Sequence, residues 1–168
     1  MHRRCRTLQI WSLFRRICLG LLLLVALPLR AEDSVLSITG TDARVHELSL
    51  SQLEAMPQVS YTTRLPEVPG GETASAWQGV RLSDLVKLAG STPQTLKLWA
   101  LDDYSVIIPD SDLAAFEPIV ALRRDGQLIP IESLGPLIVV YPLDDRQELL
   151  TQEYYNRTIW QLRSISLE

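Results

Sequence analysis

Short segments in which apolar and polar residues alternate dominate the chain after residue 34. This period of two predicts strands rather than long helices. Tight turns separate two pairs of these segments, at Asp102-Asp103 and at Asp125-Gly126, and each pair is therefore expected to form a hairpin. The predicted strands are 35–39, 44–48, 58–64, 73–77, 95–101, 104–108, 119–123, 127–129, 137–141 and 158–167.

The predicted helices are few and short. Ser49 and Gln52 have the spacing of a capping box, which predicts a helix start at residue 49. Apolar residues at helical spacing over 82–89 end at Gly90, a usual helix stop. Further short helices are expected at 111–116 and 148–155. Short helices among many hairpins predict an α+β fold, and the chain contains no glycine-rich phosphate loop.

The first 31 residues have the three zones of a secretory signal peptide. Residues 1–16 are basic, residues 17–27 are apolar, and Ala31 lies at the boundary. The apolar run is shorter than the roughly 20 residues that a membrane span needs. We therefore expect a signal peptide at 1–31, a single domain at 32–168, a periplasmic location and no membrane span after processing. An uncleaved anchor and twin-arginine export are the alternatives.

The charge and the cysteine content limit the classes of partner that the domain can bind. All 20 acidic residues but only 10 of the 16 basic residues lie after residue 31, so this part has a formal charge of −10. Such a charge excludes nucleic acid and anionic membranes as partners, because phosphate binding needs a basic surface. A small anionic ligand or a periplasmic or membrane protein remains. Both cysteines, Cys5 and Cys18, lie in the leader, so neither a disulfide nor a thiolate metal ligand is expected in the domain.

The predicted domain lacks the sequence motifs of common metal sites and of serine hydrolases. His46 is its single histidine, which argues against zinc, and no acidic cluster has the spacing of a calcium loop. No G-x-S-x-G elbow is present. We therefore predict neither a metal site nor a catalytic residue. Large rings are frequent for a domain of this size, and they fit either core packing or a pocket in which an arginine holds an anion.

Six short segments follow one another in a characteristic order. They are 77–85 (WQGVRLSDL), 89–90 (AG), 100–109 (ALDDYSVIIP), 125–130 (DGQLIP), 135–142 (GPLIVVYP) and 159–160 (IW). This order resembles the oxidoreductase molybdopterin-binding domain of the sulfite oxidase family, from about Leu36 to Leu167. The resemblance implies a mixed β-sheet core with short helices. In relatives it also implies a pterin-bound molybdenum centre, held by a cysteine thiolate near the end of the strand before the first of these segments.

In this chain the region that corresponds to the thiolate, 59–64, contains no cysteine, and hydroxyl groups replace a soft thiolate poorly. The sequence therefore predicts a non-catalytic binding module without a cofactor. The alternative is a molybdopterin-dependent oxidoreductase, or a carrier that holds the pterin without a protein thiolate. A third hypothesis is an enzyme of another class that uses Asp102 and Asp103. The residues predicted to line the ligand cleft are Tyr61, Thr62, Arg64, Trp77, Asp103, Tyr104 and Arg157.

Overall fold

Two β-sheets with short helices at their edges make up the structure. The computed structural model describes residues 33–90 and 92–168, and 33–168 forms one compact unit. The predicted signal peptide, 1–31, lies outside the described residues. The strands are β1 Ser34–Thr39, β2 Val45–Ser49, β3 Gln58–Thr63, β4 Ser75–Arg81, β5 Thr95–Ala100, β6 Ser105–Pro109, β7 Ile119–Arg124, β8 Gln127–Leu128, β9 Ile138–Val140 and β10 Leu162–Leu167.

The helices are no longer than two turns. They are α1 Leu50–Ala55, α2 Leu82–Leu88, α3 Ser111–Ala115 and α4 Gln152–Arg157, with 3-10 turns at Leu143–Asp145 and Gln147–Leu149. The capping box at the start of α1 is formed: the Gln52 amide N–H donates to Ser49 Oγ, and the Ser49 amide N–H donates to Gln52 Oε1. Gly90 follows α2 with a φ of +65°, the left-handed conformation that ends many helices.

The first sheet has the strand order β2-β1-β10-β5-β6. Its central pair, β1 and β10, is parallel, and its other pairs are antiparallel, so the sheet is mixed. The second sheet has the order β3-β4-β7-β8, and β9 also pairs with β7. The predicted α+β class is confirmed. The hairpins β5–β6 and β7–β8 are also as expected.

The core is formed by the buried faces of both sheets together with the apolar sides of α1 and α2. Leu36, Ile38, Leu96, Leu98 and Val139 are each 1% exposed or less. Burying a side chain of this size contributes about 1.5–3 kcal/mol relative to leaving it in water. Among the described residues, no helix is long and apolar enough to cross a membrane.

Three predicted elements are wrong in their bounds. Strand 73–77 is instead Ser75–Arg81, and Gly79 lies inside it. A Cβ at Gly79 would lie 1.9 Å from the Val120 carbonyl oxygen, so glycine is needed there for the close approach of β7. The predicted helix 148–155 is divided into the 3-10 turn Gln147–Leu149 and α4.

The last strand begins four residues later than expected. Thr158 still completes the end of α4, since its amide N–H donates to the carbonyls of Tyr154 and Tyr155. Gln161 then has a φ of +51°, which interrupts the alternation that the sequence pattern predicted from residue 158. Regular pairing begins only at Leu162.

Candidate functional site

The end of β3 is fastened to the first 3-10 turn by an ion pair. The Arg64 side chain donates to Asp144 from Nε at 3.0 Å and from Nη2 at 2.8 Å. Its backbone N–H also donates to Asp144 Oδ2 at 2.9 Å, and the Asp144 N–H donates to Thr63 Oγ1 at 3.0 Å. The hydrogen bonds from Arg64 hold the pKa of the Asp144 carboxyl below its usual value. Arg64 therefore already binds a carboxylate of its own chain.

Tyr61 and Thr62 precede this ion pair on β3. Tyr61 is half-buried, and its hydroxyl donates to the Glu117 carbonyl oxygen at 2.9 Å. Burial, aided by the charge of Glu117, raises the pKa of the Tyr61 phenol. Thr62 is exposed. The β3 edge thus presents a hydroxyl-rich surface that ends at the pair Arg64–Asp144.

Trp77 packs in the core and does not border open space. Its side chain is fully buried, and its Nε1–H donates to the Thr63 carbonyl oxygen at 3.2 Å. The Arg124 guanidinium lies 5.0 Å from the centre of its ring. The ring is therefore surrounded by groups of its own chain and has no free face for a ligand.

Asp103 and Tyr104 lie in the turn between β5 and β6, on the other sheet. Asp103 has a φ of +67°, and its carboxylate accepts from Arg163 Nη2 at 2.6 Å. Tyr104 is 49% exposed, and Asp102 and Asp103 are exposed as well. Two neighbouring acids in open solvent lack the enclosed cleft that acid–base catalysis needs, which argues against the hypothesis of an enzyme based on this pair.

Arg157 belongs to a buried polar network. Its Nη1 donates to Asp112 Oδ2 at 2.8 Å, and the same oxygen accepts from the Tyr141 hydroxyl at 2.8 Å. The side chains of Arg157 and Asp112 are 12% and 4% exposed. Arg157 also pairs with Glu153 and lies 5.0 Å from the centre of the Tyr154 ring. Its charge is balanced by acids on two elements, α3 and α4.

The structure thus brings together only part of the predicted set. Tyr61 and Thr62 lie on β3 and Arg64 directly follows it, while Arg157 lies on α4. Trp77 lies beneath them in the core, and Asp103 and Tyr104 are on the other sheet. Ligand binding by this set stays a prediction.

A groove of about 610 Å³ lies elsewhere, and none of the seven predicted residues lines it. It adjoins the loop after β3, through Pro69, and the β7–β8 hairpin. The exposed ring of Trp160 and several apolar side chains form its walls, with an amide, a hydroxyl, two carboxylates and a guanidinium among them. The lining residues are Pro69, Arg124, Asp125, Gln127, Leu128, Ile129, Pro130, Glu132, Ser133, Leu134 and Trp160.

The charges in this groove are uneven. The Arg124 guanidinium is held inward, since Nε donates to Ser75 Oγ at 3.0 Å and Nη2 donates to the Gly70 carbonyl. Glu132 is exposed and has no ion pair or hydrogen bond with any residue that the structure describes. The groove therefore offers a ligand an aromatic face and a free carboxylate. Trp160 belongs to the family segment 159–160, but nothing in the sequence pattern indicated that this ring would be exposed.

The model of the oxidoreductase molybdopterin binding domain matches residues 25–143. The chain belongs to this family. The family resemblance seen in the sequence motifs is thereby confirmed.

A solved structure with the same fold is the sulfane dehydrogenase SoxCD from Paracoccus pantotrophus, with a TM-score of 0.60 and 16% identity. The match covers 79% of this chain but only 37% of the SoxCD chain, so this chain spans little more than a third of that relative's length. A comparison with curated proteins found no match.

The residues of this chain do not fit a molybdenum centre held by protein sulfur. No cysteine lies between residues 19 and 168, and the described residues contain no group of three His, Cys, Asp or Glu side chains that could hold a metal ion. At the end of β3, where the thiolate of relatives is expected, Arg64 is paired with Asp144. The described residues thus have the fold of the family but no cysteine to hold its metal.

Proposed function

We propose that this protein is an exported, non-catalytic member of the molybdopterin-binding family and that it binds a small ligand in the groove beside Trp160. The observation that carries the proposal is this groove in a domain that has no cysteine to bind a metal. Its volume, about 610 Å³, falls within the roughly 300–1,000 Å³ typical of ligand pockets. The predicted signal peptide is the basis for proposing both export and a periplasmic location.

The lining of the groove favours a flat ligand. Trp160 is 37% exposed, so part of its ring is available for stacking, and Leu128 and Ile129 supply aliphatic contacts. Gln127 and Ser133 offer donors and acceptors at the walls. Glu132 would accept hydrogen bonds from N–H groups of the ligand. A heterocycle with several N–H donors meets all of these features.

The predicted anion site at Arg64 and Arg157 receives less support. Each guanidinium already has carboxylate partners, Asp144 for Arg64, and Asp112 and Glu153 for Arg157. A ligand anion would have to displace them. An anionic ligand at this site therefore remains the less favoured form of the proposal.

The second candidate function is a carrier or oxidoreductase that binds molybdopterin without a protein thiolate. Family membership favours it, and so does the suitability of the groove for a planar ring system such as a pterin. SoxCD is described as a sulfane dehydrogenase, but it is similar to this chain in fold only. Without a thiolate, the chain's own residues could hold the pterin by stacking and by hydrogen bonds but would leave any metal without a protein sulfur ligand.

The test begins with protein purified from a molybdenum-replete host. Metal analysis and pterin fluorescence of the gel-filtered protein distinguish the two functions: stoichiometric molybdenum would refute the non-catalytic proposal. Binding of a panel of metal-free pterins and other N–H-rich heterocycles is then followed by calorimetry. We expect at least one to bind, and Trp160→Ala to weaken binding at least tenfold.

Trp99→Ala is the matched control, because Trp99 is a half-buried ring on β5 of the other sheet. It should leave the affinity unchanged. Equal losses in both variants, or binding that survives Trp160→Ala, would show that the ligand site is not this groove. Arg64→Gln tests the anion site separately, since only binding at β3 should respond to it.

A further inference from the structure

Exposed apolar side chains lie in the groove, at Leu128 and Trp160, and on segments of the chain next to it. We call this set the rim surface: Leu101, Tyr104, Leu128, Ile131 and Trp160, which are 44%, 49%, 42%, 52% and 37% exposed. Single exposed apolar residues are normal on a protein surface, but a contiguous group marks an interaction site. The five residues qualify as such a group if the chain segments that carry them lie side by side.

Gln161 connects the three segments that carry the rim surface. Its carbonyl accepts from the Leu101 amide N–H at 3.0 Å, which fixes the β5–β6 turn beside it. Its Nε2 donates to the Ile131 carbonyl at 2.9 Å and to the Ser133 carbonyl at 3.3 Å, and its own N–H donates to Leu134. Gln161 thus holds together the backbone segments that carry Leu101, Ile131 and Trp160, and Leu128 lines the groove together with Trp160.

The backbone at Gln161 also explains why Trp160 faces outward. A φ of +51° is unusual for a residue that is not glycine, asparagine or aspartate, and such strain persists only where surrounding contacts hold it. On either side, Ile159 is 1% exposed and Leu162 is fully buried, whereas Trp160 is exposed. Counted back from the buried Leu162, regular alternation in β10 would turn Trp160 inward, and the positive φ at Gln161 breaks that alternation.

The charges around the rim surface are acidic. Glu132 has no ion-pair partner among the described residues, and Asp102 is engaged only by the Tyr104 amide N–H, at 3.0 Å. The two nearby arginines are occupied: Arg163 pairs with Asp103, and Arg124 is held by Gly70 and Ser75. The surface therefore combines apolar contact area with uncompensated negative charge.

We infer that the rim surface binds a partner protein whose contact face carries apolar side chains flanked by lysine or arginine. Charge complementarity selects this occupant, because like charges across an interface are repelled. A second copy of the chain would bring Glu132 and Asp102 against the same acids, and an anionic membrane would be repelled as well. The inference does not depend on the ligand proposed above, although Trp160 and Leu128 belong to both sites.

Site-specific photo-crosslinking in the organism that makes the protein tests the inference. A benzophenone amino acid is placed at Leu101 or Ile131, and at Leu88 or Val45 as controls, which are 44% and 56% exposed but lie outside the rim surface. We expect one protein adduct from the rim positions only. Mass spectrometry of the crosslinked peptide should identify a partner segment that contains apolar residues and at least one lysine or arginine.

Charge reversal provides the second measurement. Glu132→Lys together with Asp102→Lys should reduce the adduct at least tenfold, whereas Glu47→Lys, on the opposite edge strand β2, should leave it unchanged. An adduct with a second copy of the chain, an adduct with lipid, no adduct at the rim positions, or an adduct that survives the charge reversal would each overturn the inference. Circular dichroism of each variant confirms that it is folded.

Discussion

Replacing Arg157 tests whether this arginine, which was expected to bind a ligand, instead stabilises the fold. Its guanidinium and the Asp112 carboxylate are 12% and 4% exposed, and the pair is joined at 2.8 Å. Arg157→Gln would leave the Asp112 carboxylate buried, with the Tyr141 hydroxyl as its main remaining donor. Removing one partner of a buried pair costs about 3–5 kcal/mol, because the other charge is left uncompensated.

The assay is urea denaturation followed by far-ultraviolet circular dichroism. Since domains have about 5–15 kcal/mol of total stability, we expect Arg157→Gln to fold but to unfold at a much lower urea concentration. Adding Asp112→Asn should recover part of the loss, because the double variant has no buried charge.

Arg163→Gln is the matched control. Arg163 also pairs with an aspartate, Asp103, but these side chains are 45% and 80% exposed. Exposed pairs contribute about 0–1 kcal/mol, so this variant should be almost as stable as the wild type. A loss below about 1 kcal/mol in Arg157→Gln, or equal losses in both variants, would refute the argument from burial and would restore Arg157 as a candidate ligand residue.

Three other substitutions test neighbouring parts of the structure. Gly79→Ala should abolish soluble, folded protein, because its Cβ would lie 1.9 Å from the Val120 carbonyl oxygen; a normal melting temperature would contradict this. Arg64→Gln should raise the pKa of Asp144 toward its ordinary value, as measured by carboxyl NMR titration. In the wild type the stabilisation from this pair is present above the ordinary pKa of an aspartate and is lost as the pH falls through the depressed one. Burial raises the pKa of Tyr141 well above 10.0, so its protonated form stabilises the fold until the pH exceeds 10.0, and stability is lost beyond that. The free energy of unfolding of Tyr141→Phe should therefore fall less than that of the wild type as the pH rises above 10.0. If it falls equally in both proteins, ionisation of Tyr141 is not the cause of the alkaline loss.

Local features of the fold could be predicted from the sequence because they depend on neighbouring residues. The capping box of α1 needs only Ser49 and Gln52, three positions apart, and the β7–β8 hairpin needs only Asp125 and Gly126. The role of Gly79 could not be predicted in this way. Its requirement comes from the backbone of β7, about 40 residues later, which must approach β4 closely.

The candidate site was harder to predict because its chemistry depends on distant partners. Arg64 and Asp144 are 80 positions apart, and no local pattern indicates that they pair. Trp77 was predicted as a cleft residue, but in the structure its ring is fully buried in the core. The exposed ring of Trp160 depends on the strained backbone at Gln161, which sequence periodicity reads as an ordinary strand residue.

The ion pairs of the arginines determine which ligand charge the domain favours. An acidic domain was expected to attract an anion through Arg64 or Arg157, yet both guanidinium groups are neutralised by carboxylates of the same chain. The unpaired charge at the groove is instead the carboxylate of Glu132. The electrostatics therefore favour a neutral or cationic ligand with N–H donors, so Glu132→Gln should weaken its binding, while an anionic ligand should bind that variant more tightly.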